Sequence, residues 1–254
     1  MSDMAADLKR SRFWTPGFVL LMLGALAALV VLLALGTWQV QRLAWKEDLI
    51  ATIEARRAGE PRTADALLAE YDLAGDVEYM PVRLRGVFAP EEVYAHATMR
   101  GEAGWHVLAP LYLPDGRVAV VNRGFVPDGL RAPATRPESA PPREPVEVVG
   151  LARNPQFEKP NGFVPDNDLP DRLFYWKDFD ALRLLLGLPE DRALPFLIDV
   201  AETPDGVLPR GGTTVISLPN NHLGYAVTWF GIAAALVGVV GSLVVQRRKA
   251  RRAA

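Results

Sequence analysis

The sequence predicts an α+β membrane protein: a two-helix transmembrane anchor, one helix near each end, carrying a mainly antiparallel β domain of barrel or sandwich type with a few short helices. Three observations predict it. Ala226 to Val245 runs for 20 residues without a charge, about 30 Å as a helix, which matches the hydrocarbon thickness of a bilayer. Phe18 to Leu35 is a second uncharged, mostly apolar run of 18 residues. Between them the chain breaks into short alternating runs punctuated by glycine and proline, the texture of strands and turns.

Charge follows the same division. The two tails carry eight basic residues against two acidic ones, a net of +6, whereas Trp38 to Asn221 holds 20 basic and 28 acidic, a net of −8. Basic tails suit the cytoplasmic side of a membrane, and an acidic middle argues against a nucleic-acid binder. With no cysteine in the chain, disulfides and thiol redox chemistry are excluded. Three histidines, His96, His106 and His222, form no HExxH or His/Cys cluster, so an ordinary zinc site has no ligand set.

In chain order, residues 1–17 form a cytoplasmic tail and 18–38 the first transmembrane helix. A cleaved signal peptide is the alternative, with Ala34-Leu35-Gly36 as its site, but such an apolar region usually runs only about 7 to 15 residues. An uncleaved anchor is the better reading. The segment 39–221 is the β-rich domain, entered by an amphipathic stalk with apolar residues at 43, 45, 49, 50 and 53. Trp38, Arg42 and Trp45 share one face of it, which predicts a guanidinium between two indoles just above the membrane. Interface anchoring, with Arg and Trp snorkelling into headgroups, is the favoured account of these three.

Thr63 to Asp72 reads as a short helix capped by Thr63. Strands are predicted over 82–88, 92–97, 105–113, 117–125, 146–151, 173–176, 196–200 and 213–218. Pro114-Asp115-Gly116 is the tight turn of a hairpin. Six prolines between Pro127 and Pro145 mark an irregular loop. Asp178 to Leu186 is a second short helix, stopped by Gly187 and Pro189. Asn122 and Arg123, following a β run, are placed to tie down a loop. Asp166 and Asp168, flanking Asn167, read as turn formers rather than catalytic acids. His96 and His106 read as packing or surface residues.

The second transmembrane helix spans 222–245 and ends in a basic tail, 246–254. Small residues four apart, Gly24 and Ala28 in the first helix and Ala234, Gly238 and Ser242 in the second, predict where the two helices touch. At the head of the second, His222, Tyr225 and Trp229 recur at i, i+3 and i+7, so a ligand-capable imidazole stands among aromatic rings at the membrane edge. An interfacial histidine capping the helix beside Asn220 and Asn221 is the simpler account of the same residues.

Asn220-x-His222-x-x-Tyr225-x-x-Thr228-Trp229, with Trp38-Gln39-x-x-Arg42-x-x-x-Lys46 closing the first helix, resembles the Surfeit locus 1 family of cytochrome c oxidase assembly factors. Matches continue between them: Pro81-Val82 with Gly86 and Phe88, Asn122-Arg123-Gly124-Phe125-Val126-Pro127, Phe163-Val164-Pro165, Tyr175-Trp176 and Gly211-Gly212. Phe125 departs from the tryptophan that is commoner there. The resemblance implies a bacterial inner-membrane protein with both termini cytoplasmic and its β domain periplasmic. It implies a non-enzymatic chaperone that carries haem a as transient cargo and aids its insertion into subunit I, with haem a synthase as a further partner.

By the same resemblance His222 is the haem iron ligand and Trp229 acts with it. Tyr225 and Trp229 would wall the macrocycle, with Trp38 brought to the same membrane depth if the helices pair. Arg42 and Lys46 suit its propionates, and its apolar tail would lie among Ile232 and Leu236. A membrane-anchored scaffold that stabilises oxidase intermediates without haem is the alternative. A periplasmic hydrolase has no nucleophile or metal motif to support it.

Overall fold

A computed structural model describes residues 14–214 and 218–253. The chain divides into two compact units, residues 1–51 with 218–254, and residues 52–217.

The first unit is a pair of helices, α1 (Pro16–Arg57), whose last residues belong to the second unit, and α4 (His222–Ala253). Both are long and apolar enough to cross a membrane. They run antiparallel: Gln39 meets His222 at one end, and Arg247 meets Thr15 at the other. The residues withdrawn from the surface fall at alternating steps of three and four. On α1 they include Phe18, Met22, Ala25, Leu29, Leu32, Gly36 and Gln39; on α4, His222, Ala226, Trp229, Ala233, Leu236 and Val240. This is the seam of an antiparallel coiled coil. Gly24, Ala28, Ala234, Gly238 and Ser242 are exposed, and Gly24 and Gly238 have open space where a side chain would be. The small-residue stripes predicted to form the contact therefore lie off it.

The second unit is a closed five-stranded barrel. Around the ring run β1 (Pro81–Phe88), β5 (Val146–Arg153), β7 (Ala193–Val200), β4 (Val118–Pro127) and β3 (Glu102–Tyr112). The ring closes where Val87 and Phe88 of β1 pair with Tyr112 and Leu111 of β3. Every pairing in it is antiparallel except β4 with β7. Closure removes the open edges that a flat sheet would expose. Gly86 permits it, because any Cβ there would collide with the Tyr112 carbonyl oxygen.

The free half of β3 pairs with β2 (Val93–Met99), which carries the short β6 (Leu173–Phe174) in parallel. The near-continuous apolar run of β4 reflects two cores. Ala119 and Val121 face the barrel interior with Leu84, Phe196 and Ile198, plugged by Leu67 of α2 (Ala64–Ala74). Val118 and Val120 face outward beneath Phe179, Leu182 and Leu186, on and just past α3 (Phe179–Leu185). Thr63 and Asp178 cap their helices, each side-chain oxygen accepting from the third backbone N–H beyond it.

The proline-rich loop is not wholly irregular. Asp128–Leu130, Pro133–Thr135 and Pro137–Ser139 form three short 3-10 turns. Thr213 and Thr214 of the strand predicted over 213–218 carry no strand pairing, and 215–217 lie outside the described residues.

Candidate functional site

The candidate site is at the Gln39 end of the helix pair. Gln39 Oε1 stands 2.7 Å from His222 Nδ1; with the carboxamide in this orientation its oxygen accepts and Nδ1–H is the donor. A neutral imidazole then keeps its lone pair on Nε2. Among the described residues nothing hydrogen-bonds Nε2. Gln39 is buried on the seam and His222 is half-buried. The outcome is a ring held by one nitrogen and available by the other.

Trp229 lies two turns further along the same seam, half-buried. Tyr225 and Trp38 are exposed, at 56% and 50% of their surface. Arg42 is also exposed and lies over the Trp45 ring at 4.3 Å. The predicted sandwich between two indoles is thus a stack on Trp45, the ring that the guanidinium covers. Lys46 is half-buried one turn on. Below, Ile232 is exposed, while Leu236 is half-buried and lines an apolar groove of about 300 Å³ with Met22, Leu29 and Val240. Asn220 has a buried Oδ1 with no hydrogen-bond partner among the described residues, an acceptor whose desolvation costs about 1–3 kcal/mol until a donor reaches it.

Gln39 is the residue that inspection of the motifs leaves without a role. The signal for it is chemical: it is the polar side chain at a seam position where every neighbouring step is apolar or small.

The polar clusters of the β domain are internally satisfied. Asn122 and Arg123 lie within β4, not after it. Arg123 donates to Glu92 at 2.8 Å and to the Ser139 carbonyl at 2.9 Å, tying the proline-rich loop to the barrel as expected. Arg136 also donates to Glu92, and Tyr94 OH does so at 3.3 Å. Burial, then the Glu92 charge, pushes the Tyr94 hydroxyl up.

Asp199 accepts from Asn122, Arg153 and Thr214 at 2.9, 2.7 and 2.6 Å. Burial alone would raise its pKa, but Lys177 and Arg153, with the Thr214 and Asn122 hydrogen bonds, hold it well below the usual carboxylate range. Nearby His106 is lowered to about 4 by burial and then by Lys177, with Asp199 opposing. His96 is exposed, edge-on to Trp105 at 5.5 Å. Asp166 is paired with Lys159 and Asp168 is bridged to Leu173, so both serve the turn. Among the described residues no three His, Cys, Asp or Glu side chains are grouped to hold a metal ion.

The model of the SURF1 family matches residues 26–234. Surfeit locus protein 1 of Xenopus tropicalis is 37% identical over 229 residues, 81% of this chain and 70% of that protein. The human Surfeit locus protein 1 is 35% identical over 227 residues, 81% and 71%. A SURF1-like protein of Monosiga brevicollis is 37% identical over 221 residues, covering 81% and 80%.

Proposed function

Because the chain belongs to the SURF1 family, we propose that it is an assembly factor for a haem-copper cytochrome c oxidase, holding haem a at the membrane edge and aiding its insertion into subunit I. The observation that carries the haem part of this reading is the available Nε2 of His222, at the head of a helix able to cross a membrane. Neutral imidazole nitrogen is a common axial ligand of haem iron. The donor set fits the group: one imidazole, two nearby cations in Arg42 and Lys46 for the propionates, and exposed aromatic rings in Tyr225 and Trp38 for the macrocycle. Ile232 and the Leu236 groove supply apolar surface for the tail.

In this reading the protein performs no covalent step. His222 would hold the iron, Trp229 would brace the seam behind it, and Arg42 and Lys46 would keep the propionates at the aqueous edge. A single imidazole ligand would make a cargo site that can be emptied. In this reading both termini are cytoplasmic and the β domain lies on the periplasmic side of an inner membrane, which the basic tails support. Haem a synthase, which supplies the cargo, is the natural donor partner.

The test is the absorbance spectrum of the detergent-purified protein from cells making haem a, beside His222→Ala. Haem bands present in the first and lost in the second support the reading. Two haem-free samples, in cells whose oxidase still depends on the protein, would replace it with a scaffold that stabilises assembly intermediates.

A further inference from the structure

We infer that Gln39 is the positioning residue of the cargo site. It fixes the His222 proton on Nδ1 and, being neutral, leaves the imidazole a ligand weak enough to release iron. The inference rests on the haem reading above and goes beyond it, because it assigns the control of retention to a residue on the other helix.

In water a neutral imidazole places its proton on either ring nitrogen, and the form protonated at Nε2 has no lone pair there to give a metal. His222 is the first residue of α4, so little backbone structure precedes it to hold the ring. The 2.7 Å bond to Gln39 Oε1 supplies what is missing. A carboxamide oxygen only accepts, so the bond exists in the Nδ1–H form and selects it. Gln39 keeps 9% of its surface exposed, which shields the bond from competing water.

The seam fixes the geometry. Gln39 and His222 occupy matching steps of the two heptad patterns, one turn from Gly36 and Ala226, where the small residues let the helices close. The acceptor is therefore carried by a helix that the imidazole does not belong to. Any relative shift of the two helices at this end changes how the ring is aimed.

The chemical nature of the acceptor sets the strength. Metal-bound histidines usually donate their second N–H to a carboxylate, a backbone carbonyl or water, and a carboxylate raises ligand basicity most. A resident haem is served by that extra donation, whereas a carrier is hindered by it. A glutamine at this position gives orientation without the negative charge. It fits a site that must hand its cargo on.

The experiment uses the full chain in detergent with ¹⁵N-labelled histidine. The three histidines are resolved by subtracting the His222→Ala spectrum. Wild type, Gln39→Leu and Gln39→Glu are compared for the His222 tautomer without haem, then for haem a affinity, reduction potential and rate of transfer to an apo acceptor. Wild type is expected in the Nδ1–H form. Gln39→Leu should spread the proton over both nitrogens and weaken haem a binding by about 10- to 100-fold.

Gln39→Glu keeps an acceptor oxygen in either protonation state, so it should preserve the tautomer. It should also lower the reduction potential and slow transfer. A Gln39→Leu protein with wild-type tautomer, affinity and potential, in a background where His222→Ala loses haem, would overturn the inference and leave the haem reading standing. A Gln39→Glu protein that releases haem as fast as wild type would overturn the part about strength. Wild type that takes up no haem a is the different failure, that of the haem reading itself.

Discussion

A Cβ placed on Gly36 would stand 2.7 Å from the Phe230 ring, so glycine on α1 is what allows that ring to lie against the helix backbone. In lipid, helix pairs gain little from burying apolar surface and depend on such close packing. Gly36→Leu should therefore wedge the pair apart next to the Gln39–His222 bond, costing about 1–3 kcal/mol. Thermal unfolding in detergent will show this as a lowered midpoint. Gly36→Leu with Phe230→Ala should recover most of the loss, and Phe230→Ala alone should cost less than Gly36→Leu.

Glu92 is the hub of a buried cluster in which two guanidiniums, Arg123 and Arg136, share one carboxylate. Its side chain and that of Arg136 are each 2% exposed. Glu92→Gln keeps the shape but leaves two buried positive charges beside a neutral amide, a change of about 3–5 kcal/mol. Equilibrium denaturation of the β domain, followed by tryptophan emission, should shift accordingly. Removing one of those charges with Arg136→Met in the same chain, which returns the cluster to its native net +1, should return part of it.

Acid should weaken the β domain in two separate windows. His106 is lowered from 6.5 to about 4, so the folded protein keeps it neutral while the unfolded chain takes up a proton. Its contribution is complete above pH 6.5 and is lost as pH falls from there to about 4, about 2–4 kcal/mol in all. Asp199 is held below its ordinary 3.8, so its contribution is complete above that value and is lost as pH falls beneath it. Melting curves of His106→Gln should be flat across the first window and unchanged in the second. Asp199→Asn should lower stability at neutral pH and flatten the second.

These residues also show what a sequence does and does not display. The helix cap at Thr63, the short helix from Asp178, the Pro114–Gly116 turn and most strand positions rest on local chemistry, and local chemistry is legible. Closure of the barrel is not, since it joins Phe88 to Leu111 through long-range pairing; Gly86 was its local trace. The helix seam was misplaced for a different reason. Every face of a membrane-crossing helix is apolar, so periodicity does not separate the buried stripe from the lipid-facing one. Glycine and alanine stripes occur by chance in such runs, whereas the seam uses Leu29, Leu32, Ala226 and Ala233. The place of His222 at the head of the second helix is legible from its motif, whereas its contact with Gln39 is not, because that depends on a partner 183 residues away.

The opposite end of the seam separates anchoring from the proposed cargo site. Arg247 donates to Thr15 Oγ1 at 3.0 Å and lies over the Phe18 ring at 4.2 Å. The planar guanidinium lays its face on the ring while its edge donates to the hydroxyl, a fit that a compact ammonium reproduces less well. Arg247→Lys should already lower the unfolding midpoint of the helix pair, and Arg247→Ala should lower it further, by about 1–2 kcal/mol. Along each helix this end lies about 36 Å from Gln39 and His222. Haem a affinity measured below the unfolding range should stay at the wild-type value in both variants. A loss of affinity in step with the loss of stability would mean that the seam transmits strain along its full length, and that Gln39 aims His222 only while the far end is clamped.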